Sequence, residues 1–297
     1  MNSLNKAGKK DSLDELISTV KKTENIPTLP KVLLKISEEM NGDNYSIKSI
    51  GELMSHDVSL SARILRIVNS PFYGFPQRIY SINHAIVLLG ANVLKSIIIS
   101  TSAFTLMKET MEGLWEHSLF CAFTAKQIAV ALNARNKING ANKNTGNIDS
   151  DIAFSSGLLH DIGKIIIATT FKENFKKITD IAINDKRPLV DIEYEMLNVS
   201  HDQLGYMLIK EWNLPASVYL PIKYHHNVHL ADDYKTEAAV LNLADFLTQA
   251  LGIGYSGSPH IEKINGETLK ILGIDIGFIK SVIEEIYSFK DELYIFD

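Results

Sequence analysis

A histidine and an aspartate, His160 and Asp161, stand side by side between two apolar runs. Leu158 and Leu159 precede them, and Ile165, Ile166 and Ile167 follow. A polar pair in so apolar a segment is costly to bury unless both side chains find partners. A metal ion is one partner that satisfies both at once. Any fold this chain adopts must therefore bury segment 157–164 and bring further polar groups to it.

Composition narrows the setting. The chain has 297 residues, 45% of them hydrophobic. That is enough for one large core or two smaller ones. A net charge of -5 and a sequence pI near 6.0 argue against the broad basic face of a direct nucleic-acid binder. The single cysteine, Cys121, allows no internal disulfide and fits a reducing, cytoplasmic setting. Residues 1–12 are polar, with Lys6, Lys9 and Lys10, and no apolar stretch follows at once. No signal peptide is expected. The most apolar window, 85–104, contains Gly90, Asn92 and Lys95, which suits a buried helix pair better than a membrane span.

Apolar residues recur at helical spacing along the chain, and the first hundred residues show no convincing β alternation. The fold class is all-α: a multi-helix bundle of more than a dozen helices with an N-terminal helical subdomain. Residues 1–19 are expected to be a tail and 20–110 an N-terminal helical half. Residues 111–297 form the second half. In the first half, Ile26-Pro27-Thr28-Leu29-Pro30 sets an extended lead-in and a helix start. A helix from Asp57-Val58-Ser59 ends at Asn69-Ser70-Pro71, and Ser81 caps another that Gly90 breaks. The loop Phe72-Tyr73-Gly74-Phe75-Pro76 is either a docking surface or packing beneath the second half. In the second half, helices are expected over 115–132, 152–169, 171–184, 189–197, 201–212, 218–226, 237–252 and 278–287. The central one, 152–169, carries the His-Asp pair. The asparagine-rich segment 133–149 reads as a mobile loop.

Seven of the nine histidines lie after the boundary near 108–113. His117, His160, Asp161, His201, His225 and His226 fall on expected helices or helix ends. Asp245 sits inside the apolar run Val240-Leu241-Asn242-Leu243-Ala244-Asp245-Phe246-Leu247. One histidine on an apolar helix is most simply a hydrogen-bonded core residue. Several helices that each place one nitrogen or oxygen ligand in apolar surroundings are most simply a metal site. On a continuous helix His160 and Asp161 project about 100° apart, so one can meet an ion while the other reaches a neighbouring one. His56, at a helix-end turn, and His84, on a core-like helix, read as structural residues, His229 as a surface residue, and Cys121 as a small core residue.

His117, His160-Asp161 and Asp245, in that order, resemble the H…HD…D signature of the HD superfamily of metal-dependent phosphohydrolases. His201, His225-His226 and Lys164 of His-Asp-Ile-Gly-Lys resemble the additional site residues of its binuclear HD-GYP branch. The first half is similar to the narrower HDOD family, a bacterial HD-related output domain in signalling proteins. The likeness rests on Ile26-Pro27-Thr28-Leu29-Pro30, on the run from Ala62 to Ser70, and on Ser81-Ile82-Asn83-His84-Ala85-Ile86 with Leu89-Gly90. After His225-His226 the chain reads Asn227-Val228-His229-Leu230, without Gly-Tyr-Pro. That departure argues against cyclic-di-GMP hydrolysis and leaves the ligand set whole.

The resemblance implies an HD-type second half that binds one or two divalent transition-metal ions. The imidazole and carboxylate donors favour Fe or Mn, with Zn, Ni or Co also suited. His117, His160 and Asp245 would hold one ion, His201, His225 and His226 the other, and Asp161 would bridge. Asp161 and Lys164 are the candidate catalytic residues. Lys164 either meets a substrate phosphate as a point charge or pairs with a ligand carboxylate. The expected role is signal-transduction output, with signalling proteins or a nucleotide-type ligand as partners. The alternative is a metal-dependent phosphohydrolase or phosphodiesterase acting on a nucleotide or other phosphoester.

Overall fold

The computed structural model describes residues 46–55, 57–71, 73–139, 146–257, 260–261 and 263–290. The expected tail and the Ile26–Pro30 motif lie outside them. The described elements are helical: α1 (Ile47–Ser55), α2 (Val58–Val68), α3 (Ile82–Leu89), α4 (Ala91–Thr110), α5 (Leu114–Asn139), α6 (Ser150–Leu159), α7 (Ile162–Thr170), α8 (Lys172–Asp185), α9 (Leu189–Leu197), α10 (His201–Glu211), α11 (Ala216–Tyr224), α12 (Lys235–Ala250), α13 (Gly266–Leu272) and α14 (Ile276–Tyr287), with a 3-10 turn at Val228–Leu230.

Short polar side chains start many of these helices by accepting the first free backbone N–H groups. Asp57 caps α2 (Leu60 N–H to Asp57 Oδ1, 2.9 Å) and Ser81 caps α3. Asp149 caps α6 through Asp151 and Ile152. Ser200 precedes α10, and its backbone N–H donates to the Gln203 side chain at 3.4 Å. Gly90, at φ 78°, ends α3 in a conformation that costs glycine little.

α6 lies at the centre, packed against α4, α5, α11 and α12. The first half reaches it through α4, which also touches α5 and α7. One apolar core therefore runs from Ile50 to Ile286. In the described part of the aromatic loop, Tyr73 packs inward. Tyr73 lies 5.2 Å from Phe154 of α6 and 6.1 Å from Phe123 of α5, centroid to centroid. Asn69 fixes the loop's far side: its amide accepts from Ile79 N–H and donates to Ile79 O, both at 2.7 Å. Segment Ser150–Thr170 is long and apolar enough by composition to cross a membrane, but 89% of that window is buried inside this core.

Two expectations are corrected. The asparagine-rich segment is not all loop, because α5 continues to Asn139. Asn133 exchanges hydrogen bonds with Ile148 N–H and O at 3.0 and 2.7 Å. Arg135 donates to the Leu272 and Gly273 carbonyls at the end of α13, at 2.8 and 2.9 Å. Tertiary partners thus outweigh the low helix propensity of asparagine. The central helix is also not continuous. It breaks at His160-Asp161, where Asp161 takes φ -96°, ψ 5°. The break lets both side chains face one point, which a 100° stagger would not.

Gly163, two residues past the break, sets how closely α7 meets α10. A Cβ there would stand 1.9 Å from the His201 carbonyl oxygen and 2.8 Å from the Gly205 nitrogen. Both are backbone atoms, so neither can swing aside. Gly163→Ala is expected to cost at least about 1–3 kcal/mol through overpacking. Gly266→Ala, with nothing within 4 Å of the added carbon, should be near neutral. Thermal unfolding of the two variants checks this, and equal midpoints would refute the close approach.

Candidate metal centre

Six of the seven expected ligands are buried: His117, His160, Asp161, His201, His225 and Asp245. His226 is partly exposed. They come from different places in the fold. His117 lies in the first turn of α5, and His160-Asp161 form the break between α6 and α7. His201 opens α10, His225-His226 follow α11, and Asp245 sits midway along α12.

The atoms form two adjoining sets. In the first, His117 Nε2 lies 3.3 Å from His160 Nε2, 3.5 Å from Asp161 Oδ2 and 3.0 Å from Asp245 Oδ1. His160 Nε2 lies 3.2 Å from Asp161 Oδ2 and 3.6 Å from Asp245 Oδ1. Donors held about 2.1 Å from one ion stand about 3.0–3.4 Å apart in octahedral or tetrahedral arrangements. In the second set, the ligand atoms of His201, His225 and His226 lie within 4.8 Å of one another. His201 Nε2 is 3.0 Å from His226 Nε2 and 3.4 Å from Asp161 Oδ1. Asp161 thus turns one oxygen to each set.

The remaining ring nitrogens fix the tautomers. His160 Nδ1 donates to Gly157 O at 2.7 Å, and His225 Nδ1 donates to Ile222 O at 2.6 Å. His201 Nδ1 donates to Glu193 Oε2 at 2.6 Å. Each bond leaves Nε2 with its lone pair turned to the cluster, the arrangement that orients metal-ligating imidazoles. Two buried acceptors, His225 Nε2 and Asp161 Oδ1, have no hydrogen-bond partner. Such orphans are costly. A divalent cation satisfies both, so the residues fit the ion that their chemistry implies.

The electrostatics agree. Burial opposes ionisation of Asp161, but His160 and Lys164 override it and hold its carboxyl well below the usual range. Burial likewise opposes ionisation of Asp245, and hydrogen bonds from His117 and His160 prevail. Burial, followed by the charges of His160 and His201, pushes His225 down to about 3. Burial and His225 lower His226. For His160, burial pulls downward, yet Asp161 wins and raises it.

Lys164 is 5% exposed, and its Nζ lies 2.6 Å from Asp161 Oδ2. Of the two roles considered for it, this geometry displays the ion pair. His84 and His229 are exposed. Side chains missing from the expected set also shape the site. Glu193, fully buried, accepts from both the backbone N–H (2.8 Å) and Nδ1 of His201. Its position was legible: Leu189, Ile192, Glu193, Met196 and Leu197 make one helical stripe, and Glu193 is its charged member. Cys121 lies beside His160 and Asp245, with its thiol raised chiefly by burial. Asn242 donates to His225 O at 2.8 Å and accepts from the Thr268 hydroxyl.

The HDOD domain profile matches residues 26–228, about two thirds of the chain. The chain belongs to the HDOD family. A protein of Treponema pallidum (strain Nichols), itself uncharacterized, is 27% identical over 238 residues. That match covers 79% of this chain but 44% of the relative, so this HDOD protein spans less than half of the relative's length. Among solved structures, an HDOD domain protein of unknown function from Geobacter sulfurreducens is similar with a TM-score of 0.69. It is 25% identical, with 95% of this chain and 97% of that one covered. A Marinobacter aquaeolei VT8 protein, provisionally named for signal transduction, shares the fold with a TM-score of 0.71. It is 20% identical, with 97% and 65% covered. A Shewanella amazonensis SB2B protein, provisionally named a phosphohydrolase, shares the fold with a TM-score of 0.63. It is 20% identical, with 94% and 96% covered.

Because Glu193 fixes the His201 ring, Glu193→Gln in this HDOD protein is expected to weaken metal binding about 10- to 100-fold. A Mn2+ titration against a competing chelator measures it. Affinity within twofold of the parent would show that Glu193 does not orient the ligand.

Proposed function

We propose that this HDOD protein is a signalling output module with a dinuclear metal centre of the phosphohydrolase type. The observation that carries the reading is Asp161, whose two oxygens face two separate donor sets. Oδ2 meets His117 and His160, and Oδ1 meets His201. His117, His160 and Asp245 would hold one ion, and His201, His225 and His226 the other. The absence of thiolate among these seven residues and their mixed imidazole and carboxylate character favour Fe or Mn. Two such ions, when bound, activate water and offset the charge that develops in phosphoryl displacement.

The chain's own residues do the rest. Glu193 and the Gly157 and Ile222 carbonyls hold three imidazoles with Nε2 inward. Lys164 steadies Asp161 in its ionised form. The apolar run from Ile165 to Ile167, fully packed, shields the donors from bulk water on that side. The proposed ligand class is a nucleotide or another phosphoester. A second reading is favoured by one observation: buried Lys164 cannot meet a substrate phosphate without leaving Asp161. On that reading the centre holds a binding surface for other signalling proteins in shape and turns nothing over.

Elemental analysis of the purified protein tests the centre, with at least one equivalent of transition metal expected. Asp161→Ala should strip the metal and lower the thermal midpoint. A parent protein that carries only trace metal and gains no stability from added Mn2+ overturns the reading. Turnover of a chromogenic phosphodiester, abolished in Asp161→Asn, is expected of the hydrolase. Full metal loading without turnover would select the binding role.

A further inference from the structure

Two cavities reach the candidate ligands, and both end on His226. The smaller, about 70 Å3, also touches Asp245 and Gln249 and has room for a few waters. The larger, about 640 Å3, lies between α9, the start of α10 and the turn after α11. Its volume is that of a small-molecule site. Gln203, Asn227 and Tyr194 line it with hydrogen-bonding groups. Asp191, Glu195 and Asp202 are its acids, and Arg187 is the one lysine or arginine along its wall.

Arg187 is held in a defined place. Lys186 before it is left-handed at φ 52° and ends α8, and Pro188 after it begins the α9 lead-in. Its guanidinium makes two hydrogen bonds to the carboxylate of Glu195 on the same wall. Both side chains remain partly open to water, at 38% and 58%. A planar fork paired with a carboxylate has the geometry that also grips a phosphate. Because both side chains stay open to water, solvent and salt screen the pair, and the guanidinium is accessible to a competing anion.

We propose that this cleft is the substrate pocket of the metal centre, with Arg187 as its anion-binding residue and Glu195 as the group an incoming phosphate displaces. The proposal rests on the metal-centre reading for the role of His226. The three acids select against polyanions. The fitting ligand is a phosphoester with one phosphate group and a neutral or cationic polar remainder that Gln203, Asn227 and Tyr194 can hydrogen-bond.

The test is calorimetric titration with inorganic phosphate of Mn2+-loaded and of chelator-treated protein, together with metal content. Arg187→Gln is expected to weaken phosphate binding about 10-fold or more, the worth of a charge-assisted bond. Glu195→Gln, which removes the competitor, should tighten it about two- to fivefold. Arg187→Lys should fall between Arg187→Gln and the parent. Metal content should match the parent in all three. The proposal is overturned if both glutamine variants bind phosphate as the parent does. It is also overturned if Glu195→Gln weakens binding as Arg187→Gln does, since the pair would then serve only to hold the loop. Loss of metal from the parent would instead sink the metal centre. The Arg187 effect would then be read from the chelator-treated arm, where the same direction supports the anion site and no difference overturns it.

Discussion

The structure turns on a single buried carboxylate. Asp161 is 1% exposed in an apolar core, and an ionised group there is untenable without compensating charge. Lys164 supplies one partner, and the imidazoles of His117, His160 and His201 surround the rest. Each of these residues must arrive from a different helix. That requirement fixes how α5, α6, α7 and α10 cross. It also explains the glycines of the central segment. Gly157 brings α6 within reach of Ala122 on α5, and Gly163 brings α7 onto the His201 carbonyl. A Cβ at either position would push a ligand-bearing helix outward.

The first half contributes no ligand among the described residues, yet the site depends on it. α4 covers α6 and α7, the helices that flank the His-Asp break. Tyr73 fills the space against Phe123 and Phe154. The two-way hydrogen bond of Asn69 with Ile79 holds that loop in place. The motif Val68-Asn69-Ser70 is therefore intelligible as packing chemistry: it orders the wall against which the central helices rest. α4 thus joins this wall to the two helices that carry the His-Asp break.

How much was legible in the sequence depended on the kind of information each feature carried. The ligands stood out because histidine and aspartate are conspicuous in apolar runs, and all seven expected positions converge. The helices and some caps followed from periodicity and from Asp57 and Ser81. The break at Asp161 did not follow, since apolar residues continue on both sides of it and what the break serves is the convergence of side chains from distant helices. Asn133 and Arg135 were misread for a related reason. Their partners, Ile148 and the end of α13, are tertiary, so local composition pointed to a loop. Glu193 was visible as the one acid on an apolar stripe, but a search confined to histidines and aspartates passes over the residue that orients a ligand.

The same burial that makes the cluster a strong cation site also dictates how anything else can reach it. Six of the seven side chains are buried. His226 alone is partly exposed, and the larger cavity ends there. The larger cavity thus meets the cluster at His226, and the smaller one touches Asp245 as well. The division gives the two donor sets unequal duties. The inner set, His117, His160 and Asp245, brings α5, α12 and the central break together at one point. The outer set, His201, His225 and His226, borders the larger cavity at His226, and Asp161 stands between the two sets with one oxygen toward each.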